Sequence, residues 1–264
     1  LGPSRADVIL GIGDDVAVFQ CTADRLLLAT CDSQVAGTHY STESCDPFRL
    51  GRKAAAINLS DIASAGGKPL HFLSSLVIPP ALQVTFLEAL YDGLAAEAGR
   101  WDVDVAGGNV SRGNSLVVDL TLLGEVAPAE LLRRDGAAAG DLVLVTGRLG
   151  AAAAGLRLTR DGAVKVPREA RADALRAFET PTPRLGEGRA LAREGGVSAM
   201  IDVSDGLAAD LWHLCDAGDV GVRLLAPQIP VAESAREVAR ASGADALEWA
   251  LAGWEYYELL FTAP

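Results

Sequence analysis

Short apolar runs rich in Val, Ile and Leu recur along the chain. Runs of this length, bounded by turn-forming residues, are typical of strands in a packed sheet. The predicted strands cover residues 7–10, 26–29, 70–78, 115–123, 142–145, 220–225 and 257–262. The hydrophobic pattern therefore predicts a protein built around sheets.

Between several of these runs, apolar residues recur at the spacing of an amphipathic helix. The first predicted helix opens at Asp46-Pro47, with Asp as N-cap and Pro in the first helical position. Two later helices are marked by Val84, Leu87, Leu90, Tyr91 and Leu94, and by Leu207, Leu211 and Leu214. Strands that alternate with helices indicate an α/β (α+β) protein.

A break in the pattern near residues 125–140 divides the chain. Pro128, two arginines and an Ala/Gly-rich stretch lie there, and each side of the break holds its own strands and helices. We therefore expect two lobes, residues 1–127 and residues 128–264.

Composition and charge narrow the function classes. The chain has 264 residues, 50% hydrophobic and 22% charged, which is typical of an ordered soluble protein. The formal charge of −12 argues against sequence-independent nucleic-acid binding, which needs an excess of Lys and Arg. An acidic protein that handles a phosphorylated ligand is helped by bound Mg²⁺, although the charge taken alone is explained by solubility.

Cysteine and histidine usage indicates neither zinc nor a disulfide framework. The four cysteines form no C-x-x-C pair, and the three histidines lack the spacing of metal ligands. A reducing cytoplasm is the default location of such a chain. We expect neither a membrane span nor export, because the sequence has no apolar run of about 18 residues and no signal-like start.

Four aspartate-bearing turns are the main candidates for chemistry. They are Ile12-Gly13-Asp14-Asp15, Thr30-Cys31-Asp32-Ser33, Asn58-Leu59-Ser60-Asp61 and Ile201-Asp202-Val203-Ser204-Asp205-Gly206. Each lies at or near the end of an apolar run, and converging carboxylates repel one another unless a cation lies between them. Hard cations such as Mg²⁺ prefer oxygen ligands. Taken singly, each aspartate could instead be a turn residue or an N-cap.

Gly107-Gly108-Asn109 follows a short apolar run and is a candidate anion-binding turn. Glycines at a strand end let backbone N–H groups approach an anion, whereas the alternative is a plain tight turn. Arg134 and Arg148 lie near Gly-rich turns and could contact phosphate or simply be solvated. The sequence has no P-loop and no nucleophile elbow, so covalent catalysis is poorly supported.

Taken in order, these motifs resemble the thiamine-monophosphate kinase family, within the aminoimidazole ribonucleotide synthetase superfamily. The motifs that carry the resemblance are Gly13-Asp14-Asp15, Thr30-Cys31-Asp32, Gly37-Thr38-His39-Tyr40, Asn58-Leu59-Ser60-Asp61, Gly107-Gly108-Asn109, Val145-Thr146-Gly147-Arg148-Leu149-Gly150, Ile201-Asp202-Val203-Ser204-Asp205-Gly206-Leu207 and Glu258-Leu259-Leu260-Phe261. The specificity lies in the ordered set, which covers almost the whole chain.

The resemblance implies a two-lobed aminoimidazole ribonucleotide synthetase-like fold. In such a fold the N-terminal lobe binds ATP and metal and forms a β-barrel shared across a homodimer, and the C-terminal lobe is α/β. The implied reaction is phosphorylation of thiamine phosphate to thiamine diphosphate by ATP, by in-line transfer with several Mg²⁺ ions. We expect no general base, because the acceptor is a phosphate monoester with a second pKa of about 6 and is already anionic at neutral pH.

Site residues are carried over from the family position by position. The implied metal ligands are Asp15, Thr30, Cys31, Asp32, Asp61, Asn109, Asp202 and Asp205. The implied ATP contacts are Gly108, Asn109, Arg134 and Ser204, and the implied thiamine phosphate contacts are His39 and Glu255. In isolation His39 reads as a turn histidine and Glu255 as a solvated charge.

The chain departs from the family pattern at two places. Cys31 replaces the usual Thr, and a thiol is a poorer ligand for Mg²⁺ than a hydroxyl. Trp254 and Tyr256 stand where the family usually has Gly and Asp, which puts substrate identity in question. Two alternatives stay open: another ATP-using member of the superfamily, and a nucleotide-binding dimer without turnover.

Overall fold

The computed structural model describes residues 8–10 and 14–264. Residue 7 of the first predicted strand and Ile12-Gly13 of the first aspartate turn lie outside the described residues. The chain divides into two units by its internal contacts. The first unit comprises Leu1–Ile62 and Gly66–Leu131, and the second comprises Ala63–Ala65 and Leu132–Pro264.

The first unit contains a six-stranded sheet. Its strands are β1 (Val8–Leu10), β2 (Ala17–Gln20), β3 (Leu26–Val35), β4 (Lys68–Ile78), β5 (Asp104–Arg112) and β6 (Val117–Val126). The spatial order is β1-β2-β3-β6-β4-β5, and only the β4–β5 pair of this sheet is parallel. Among the described residues this sheet is open, with β1 and β5 at its edges, so a single chain forms no closed barrel here.

One face of this sheet carries the core of the first unit. β6 alternates between half-buried and buried positions, so that Val118, Leu120 and Leu122 share the buried face. Leu28 and Phe72 of the neighbouring strands are fully buried on the same side. The sheet therefore has one face packed against the core and one face that is less buried.

Two helices of the first unit cross at two glycines. They are α1 (Pro47–Ser64) and α2 (Val84–Arg100). The predicted cap of α1 is confirmed, because Arg49 N–H donates to Asp46 Oδ1 at 3.2 Å. A Cβ atom at Gly51 would lie 1.9 Å from the Leu90 carbonyl oxygen, and one at Gly93 would lie 1.9 Å from the Phe48 carbonyl oxygen. Only glycine at both positions permits this spacing of the helices.

The second unit contains a smaller antiparallel sheet covered by helices. Its strands are β7 (Leu142–Val145), β8 (Ala199–Asp202) and β9 (Leu259–Ala263), in the order β7-β9-β8. Its helices are α3 (Ala151–Arg160), α4 (Arg168–Glu179), α5 (Leu185–Glu194), α6 (Leu207–Gly218), α7 (Glu233–Ser242) and α8 (Ala246–Ala252). Leu149, Ile201, Leu211 and Leu260 lie in the buried core between these layers.

Two predictions about strands are wrong. Residues 220–225 form no strand in the structure, and Val222 and Leu225 of this run are exposed. The run has the composition of a strand, but a strand also needs a neighbouring backbone to bond. Gly107-Gly108-Asn109 does not end a strand either, since it lies within β5 and pairs with residues 73–75 of β4.

None of the helices within residues 8–10 and 14–264 has both the length and the apolar character that crossing a bilayer requires.

Candidate active site

The first unit brings hard oxygen atoms together beside β3. Asp61 lies in the last turn of α1, and its Oδ2 accepts a hydrogen bond from the hydroxyl of Thr30 on β3. A carboxylate oxygen of Asp15 lies within 4.8 Å of one of Asp61. Thr30 is 8% exposed, whereas Asp15 and Asp61 are half-buried. Two carboxylates this close are favoured when a cation lies between them.

Strand alternation decides which residues of β3 can join this group. Successive side chains of a strand point to opposite faces, so Thr30 and Asp32 share one face and Cys31 points to the other. Asp32 is half-buried. The structure therefore places Asp32 on the Thr30 side of the sheet.

Cys31 is not placed with the other predicted metal ligands of the first unit. Its thiol donates to Asp119 Oδ1 at 3.1 Å on the opposite face, where Ser33 Oγ donates to Asp119 Oδ2 at 2.6 Å. Burial, assisted by Asp119, raises the pKa of the Cys31 thiol. The prediction that the Cys31 side chain binds metal beside Asp32 is therefore corrected, since alternation turns its sulfur away.

Asn109 is also separated from the Asp15–Asp61 pair. The register of the sheet aligns Ser33, Asp119, Ser75 and Asn109 in one row across four strands, so their side chains share the Cys31 face. The requirement for glycine at position 108 comes from the sheet itself. A Cβ atom there would lie 1.7 Å from the Ser74 carbonyl oxygen of β4.

His39 lies in the turn that follows β3. The backbone N–H of Val35 donates to His39 Nδ1 at 3.0 Å, so the imidazole presents Nε2 on its outer side. The turn begins at Gly37, which has a φ of 86°. It is held at its end by Tyr40, whose hydroxyl donates to the Leu116 carbonyl at 3.1 Å. The histidine is exposed, and the turn fixes its ring orientation.

In the second unit, the acidic motif forms the exit of β8. Asp202 ends the strand and is 2% exposed, and Ser204 and Asp205 follow in the turn before α6. Asp210, in the first turn of α6, accepts hydrogen bonds from Asp205 N–H at 3.0 Å and from Gly206 N–H at 3.1 Å. A buried carboxylate of the helix therefore holds the turn.

Arg134 lies beside the same strand. The carbonyl oxygen of the preceding residue, Arg133, accepts a hydrogen bond from Met200 N–H of β8 at 2.9 Å. A Cβ atom at Gly136 would lie 1.9 Å from the Ser198 carbonyl oxygen. Glycine at this position therefore lets the segment lie close to the start of β8. The structure thus brings Arg134 and Asp202 to neighbouring backbone segments of the second unit.

Glu255 lies in a segment that bonds to the exit of β8. Residues 253–257, named the hook, contain two non-glycine residues with positive φ, Glu255 at 67° and Tyr257 at 53°. Glu255 N–H donates to the Ser204 carbonyl at 2.7 Å, and Tyr257 N–H donates to the Val203 carbonyl at 2.8 Å. Such conformations are costly and concentrate at functional sites.

Comparisons with known proteins agree with these features. Residues 13–126 match the family described as AIR synthase related protein, N-terminal domain, and residues 138–260 match its C-terminal domain. The thiamine-monophosphate kinase of Salmonella typhimurium is 37% identical over 262 residues, covering 99% of this chain and 78% of the relative. The chain belongs to the thiamine-monophosphate kinase family.

Solved structures of the family extend the likeness to the fold. The structure titled AaThiL complexed with AMPPCP and TMP matches with a TM-score of 0.89 and 32% identity, over 96% of this chain and 80% of that one. The thiamine monophosphate kinase of Aquifex aeolicus matches with a TM-score of 0.86 and 31% identity, over 96% and 83% of the two chains. The two-unit α/β architecture is therefore that of the family.

The two departures in the hook from the thiamine-monophosphate kinase pattern have different surroundings. Tyr256 is 8% exposed and belongs to the core of the second unit, where its hydroxyl donates to the Trp249 carbonyl of α8. Burial raises the pKa of this phenol. Trp254 is 61% exposed. The Tyr at position 256 is thus accommodated as core packing, and Trp254 is the departure that faces outward.

Several residues that hold the site escaped sequence reasoning. Asp210 caps the acidic turn, and Arg184 forms a bidentate pair with Glu258 directly after the hook. Hydrogen bonding to Glu258 raises the pKa of Arg184 further above its ordinary value. In the sequence, Glu258 is visible only as the first residue of a strand motif. The one signal for its role is a carboxylate at the start of an apolar run, and the structure buries this carboxylate.

Proposed function

We propose that this chain transfers a phosphoryl group from ATP to thiamine phosphate and yields thiamine diphosphate. The observation that carries the proposal is the Asp15–Asp61 carboxylate pair beside Thr30, in a chain 37% identical to a thiamine-monophosphate kinase along 99% of its length. A related structure titled as a complex with AMPPCP and TMP supports the choice of both substrates.

The donor set of the first unit fits Mg²⁺. Its atoms are carboxylate and hydroxyl oxygens, which hard divalent cations prefer, and the thiol of Cys31 is turned away from them. The proposed metal ligands are Asp15, Thr30, Asp32 and Asp61 of the first unit and Asp202 and Asp205 of the second. Asn109, which the resemblance also assigns to metal, lies on the opposite face of the sheet from the Thr30 donor set, so we propose only an ATP contact for it. Bound Mg²⁺ would neutralise negative charge on the triphosphate and on the transferring phosphoryl group.

The remaining proposed residues bind and orient the two substrates. Gly108, Asn109, Arg134 and Ser204 are assigned to ATP, and His39 and Glu255 to thiamine phosphate. His39 offers the outer nitrogen of a ring that a backbone N–H holds in place. A phosphate monoester needs no proton removed before it attacks, so alignment of the reacting oxygen is the main task of these side chains.

We further propose a homodimer in which the first units share a β-barrel. Every residue of β5 is exposed, and its outer edge has no strand partner among the described residues. Exposed apolar side chains lie on and beside this edge, with Leu73 at 43% and Val110 at 63% exposure. The unpaired backbone N–H and C=O groups of this nine-residue edge strand can bond to a strand of a second copy of the chain. Asn109 faces the Asp119 side of this edge, so we assign its contact with ATP to the assembled dimer.

We keep two further assignments as proposals. Residues 1–127 would form the ATP-binding, metal-binding and dimerisation lobe, and residues 128–264 the C-terminal α/β lobe. A cytoplasmic location is supported by the four cysteines, which are all free thiols.

The proposal is tested by incubating the protein with ATP, Mg²⁺ and a panel of phosphorylated acceptors. We expect ADP and thiamine diphosphate to form from thiamine phosphate, and we expect chelation of Mg²⁺ to stop the reaction. Phosphorylation of another acceptor in preference to thiamine phosphate would assign the chain to another activity of the superfamily. Tight ATP binding without transfer to any acceptor would leave the non-catalytic dimer.

A further inference from the structure

An ion pair between the buried carboxylate of Glu258 and the half-buried guanidinium of Arg184 lies at the C-terminal end of the hook. Glu258 is 7% exposed and accepts hydrogen bonds from Arg184 Nε at 2.7 Å, Arg184 Nη2 at 2.5 Å and Thr146 Oγ1 at 2.7 Å. A Cβ atom at Gly147 would lie 2.3 Å from Glu258 Oε1, so glycine there makes room for the carboxylate. All three donors are directed at one carboxylate, which fixes its orientation.

The backbone of Glu258 connects this pair to the exit of β8. Its carbonyl oxygen accepts a hydrogen bond from Val203 N–H at 2.8 Å, and the following N–H, of Leu259, donates to Thr146 Oγ1 at 2.9 Å. The side chain and the backbone of Glu258 are therefore held at once. A shift of this residue would change the position of the hook, which ends at Tyr257.

The hook needs such an anchor because its backbone is strained. Glu255 and Tyr257 both have positive φ, a region that side-chain-bearing residues enter only when their surroundings hold them there. Hydrogen bonds to Ser204 and Val203 hold the N–H groups of the hook, and the Glu258 carboxylate is the next fixed point along the chain. Without it the two residues can relax toward ordinary conformations.

The acidic turn has a separate support. Asp210 of α6 accepts the N–H groups of Asp205 and Gly206, and this carboxylate is no part of the Arg184–Glu258 pair. Loss of the ion pair should therefore loosen the hook before it loosens the turn. Experiment can distinguish the two segments. Thiamine phosphate is assigned to the hook, whereas metal and nucleotide are assigned to the acidic turn.

We propose that Arg184 and Glu258 are positioning residues that fix Glu255 for thiamine phosphate. The inference rests on the proposed function and adds to it a device that touches neither substrate. An ion pair with a buried carboxylate is weak support for stability, because the cost of removing that charge from water offsets much of the attraction. An anchoring role accounts for the two hydrogen bonds from Arg184 and the one from Thr146 that hold the Glu258 carboxylate, next to a strained segment.

The test uses steady-state kinetics of Glu258→Gln, Arg184→Gln and Arg184→Lys in the full chain. For the two Gln variants we expect kcat/KM for thiamine phosphate to fall roughly 10- to 100-fold, because a small misplacement of a binding group has that effect. KM for ATP should stay within about twofold, since the turn keeps its own support. Arg184→Lys should restore part of the loss, because it keeps the charge but not the bidentate geometry.

Two controls complete the experiment. Arg157→Gln removes a half-exposed pair with Asp161 in the same unit, at 3.0 Å, whose carboxylate is not buried, and should leave both KM values unchanged. The double variant of Arg184→Gln and Glu258→Gln should be no worse than either single variant, because the pair acts as one anchor. If Glu258→Gln fails to fold, Thr146→Val removes one hydrogen bond to the carboxylate and the acceptor of the Leu259 N–H, and it should show the same split at smaller size.

The outcomes separate this inference from the proposed function. A wild-type protein that does not phosphorylate thiamine phosphate overturns both. An active wild type whose variants lose affinity for ATP and thiamine phosphate equally, in step with a lower melting temperature, overturns the positioning role alone. Variants that match the wild type in every parameter also overturn it.

Discussion

Replacement of Gly93 by Ala should test how closely α1 and α2 must pack. A Cβ atom at this position would lie 1.9 Å from the Phe48 carbonyl oxygen and 2.7 Å from its carbonyl carbon. Ordinary contacts begin at 3.4 Å, so the helices must separate locally by about 1.5 Å. Both atoms belong to the backbone of α1, and no side chain can rotate to make room.

The magnitude follows from two opposing effects. Overpacking of a tight contact destabilises by about 1–3 kcal/mol. Ala in place of Gly within a helix stabilises by at most about 1 kcal/mol. The clash should dominate, because the matching approach at Gly51 prevents α1 from sliding along α2. Since α1 also carries Asp61, we expect the variant to lose Mg²⁺-dependent activity along with stability.

Gly99→Ala in the same helix is the matched control. A Cβ atom there meets nothing within 4 Å, so this variant should be as stable as the wild type or more stable by up to about 1 kcal/mol. Urea unfolding followed by circular dichroism compares the two variants at equal protein concentration. If Gly93→Ala unfolds at the same urea concentration as Gly99→Ala, the close crossing of the helices is refuted.

Three further predictions concern single side chains. Asp61→Ala should reduce Mg²⁺-dependent turnover by roughly 100-fold or more while its light scattering stays that of the wild type, and normal turnover would remove this residue from the site. Glu97→Gln should destabilise by about 2–3 kcal/mol, because Glu97 is fully buried and Arg52 donates to it at 2.7 and 2.9 Å; an unchanged melting temperature would contradict this. The raised pKa of Cys31 lowers its thiolate fraction at pH 8, so its alkylation, followed by peptide mass spectrometry, should be slower than that of free cysteine and should accelerate in Asp119→Asn. Equal rates in the wild type and in the Asp119 variant would argue against the Cys31–Asp119 contact.

Local patterns in the sequence determined much of the secondary structure. The strand predicted at residues 142–145 is present as β7, and the Asp46-Pro47 start of α1 is confirmed by the bond from Arg49 N–H. Strand and helix periodicity depend on neighbouring residues alone, so they can be read without knowledge of the fold. The order of the aspartate motifs likewise identified the family, because it does not depend on how the segments pair.

Pairing between distant segments decided the rest. Residues 220–225 have strand composition but no ladder partner, and Gly108 lies within β5 because the β4 carbonyl of Ser74 leaves no room for a side chain. Alternation along β3 sends the thiol of Cys31 to Asp119, although the sequence places it next to Asp32. No local signal reports that a residue of a distant strand, Asp119, lies across from this thiol.

Residues 74 positions apart in sequence form the anchor of the hook. The sequence supplied Arg184 and Glu258 as two unremarkable charges, one before a helix and one before a strand. Their pairing exists only because α5 and β9 fold into one unit, where a buried carboxylate is stable only beside a donor that satisfies it. The sequence by itself thus determined the elements and the chemistry that the chain can offer, and the tertiary structure decided which of those groups meet.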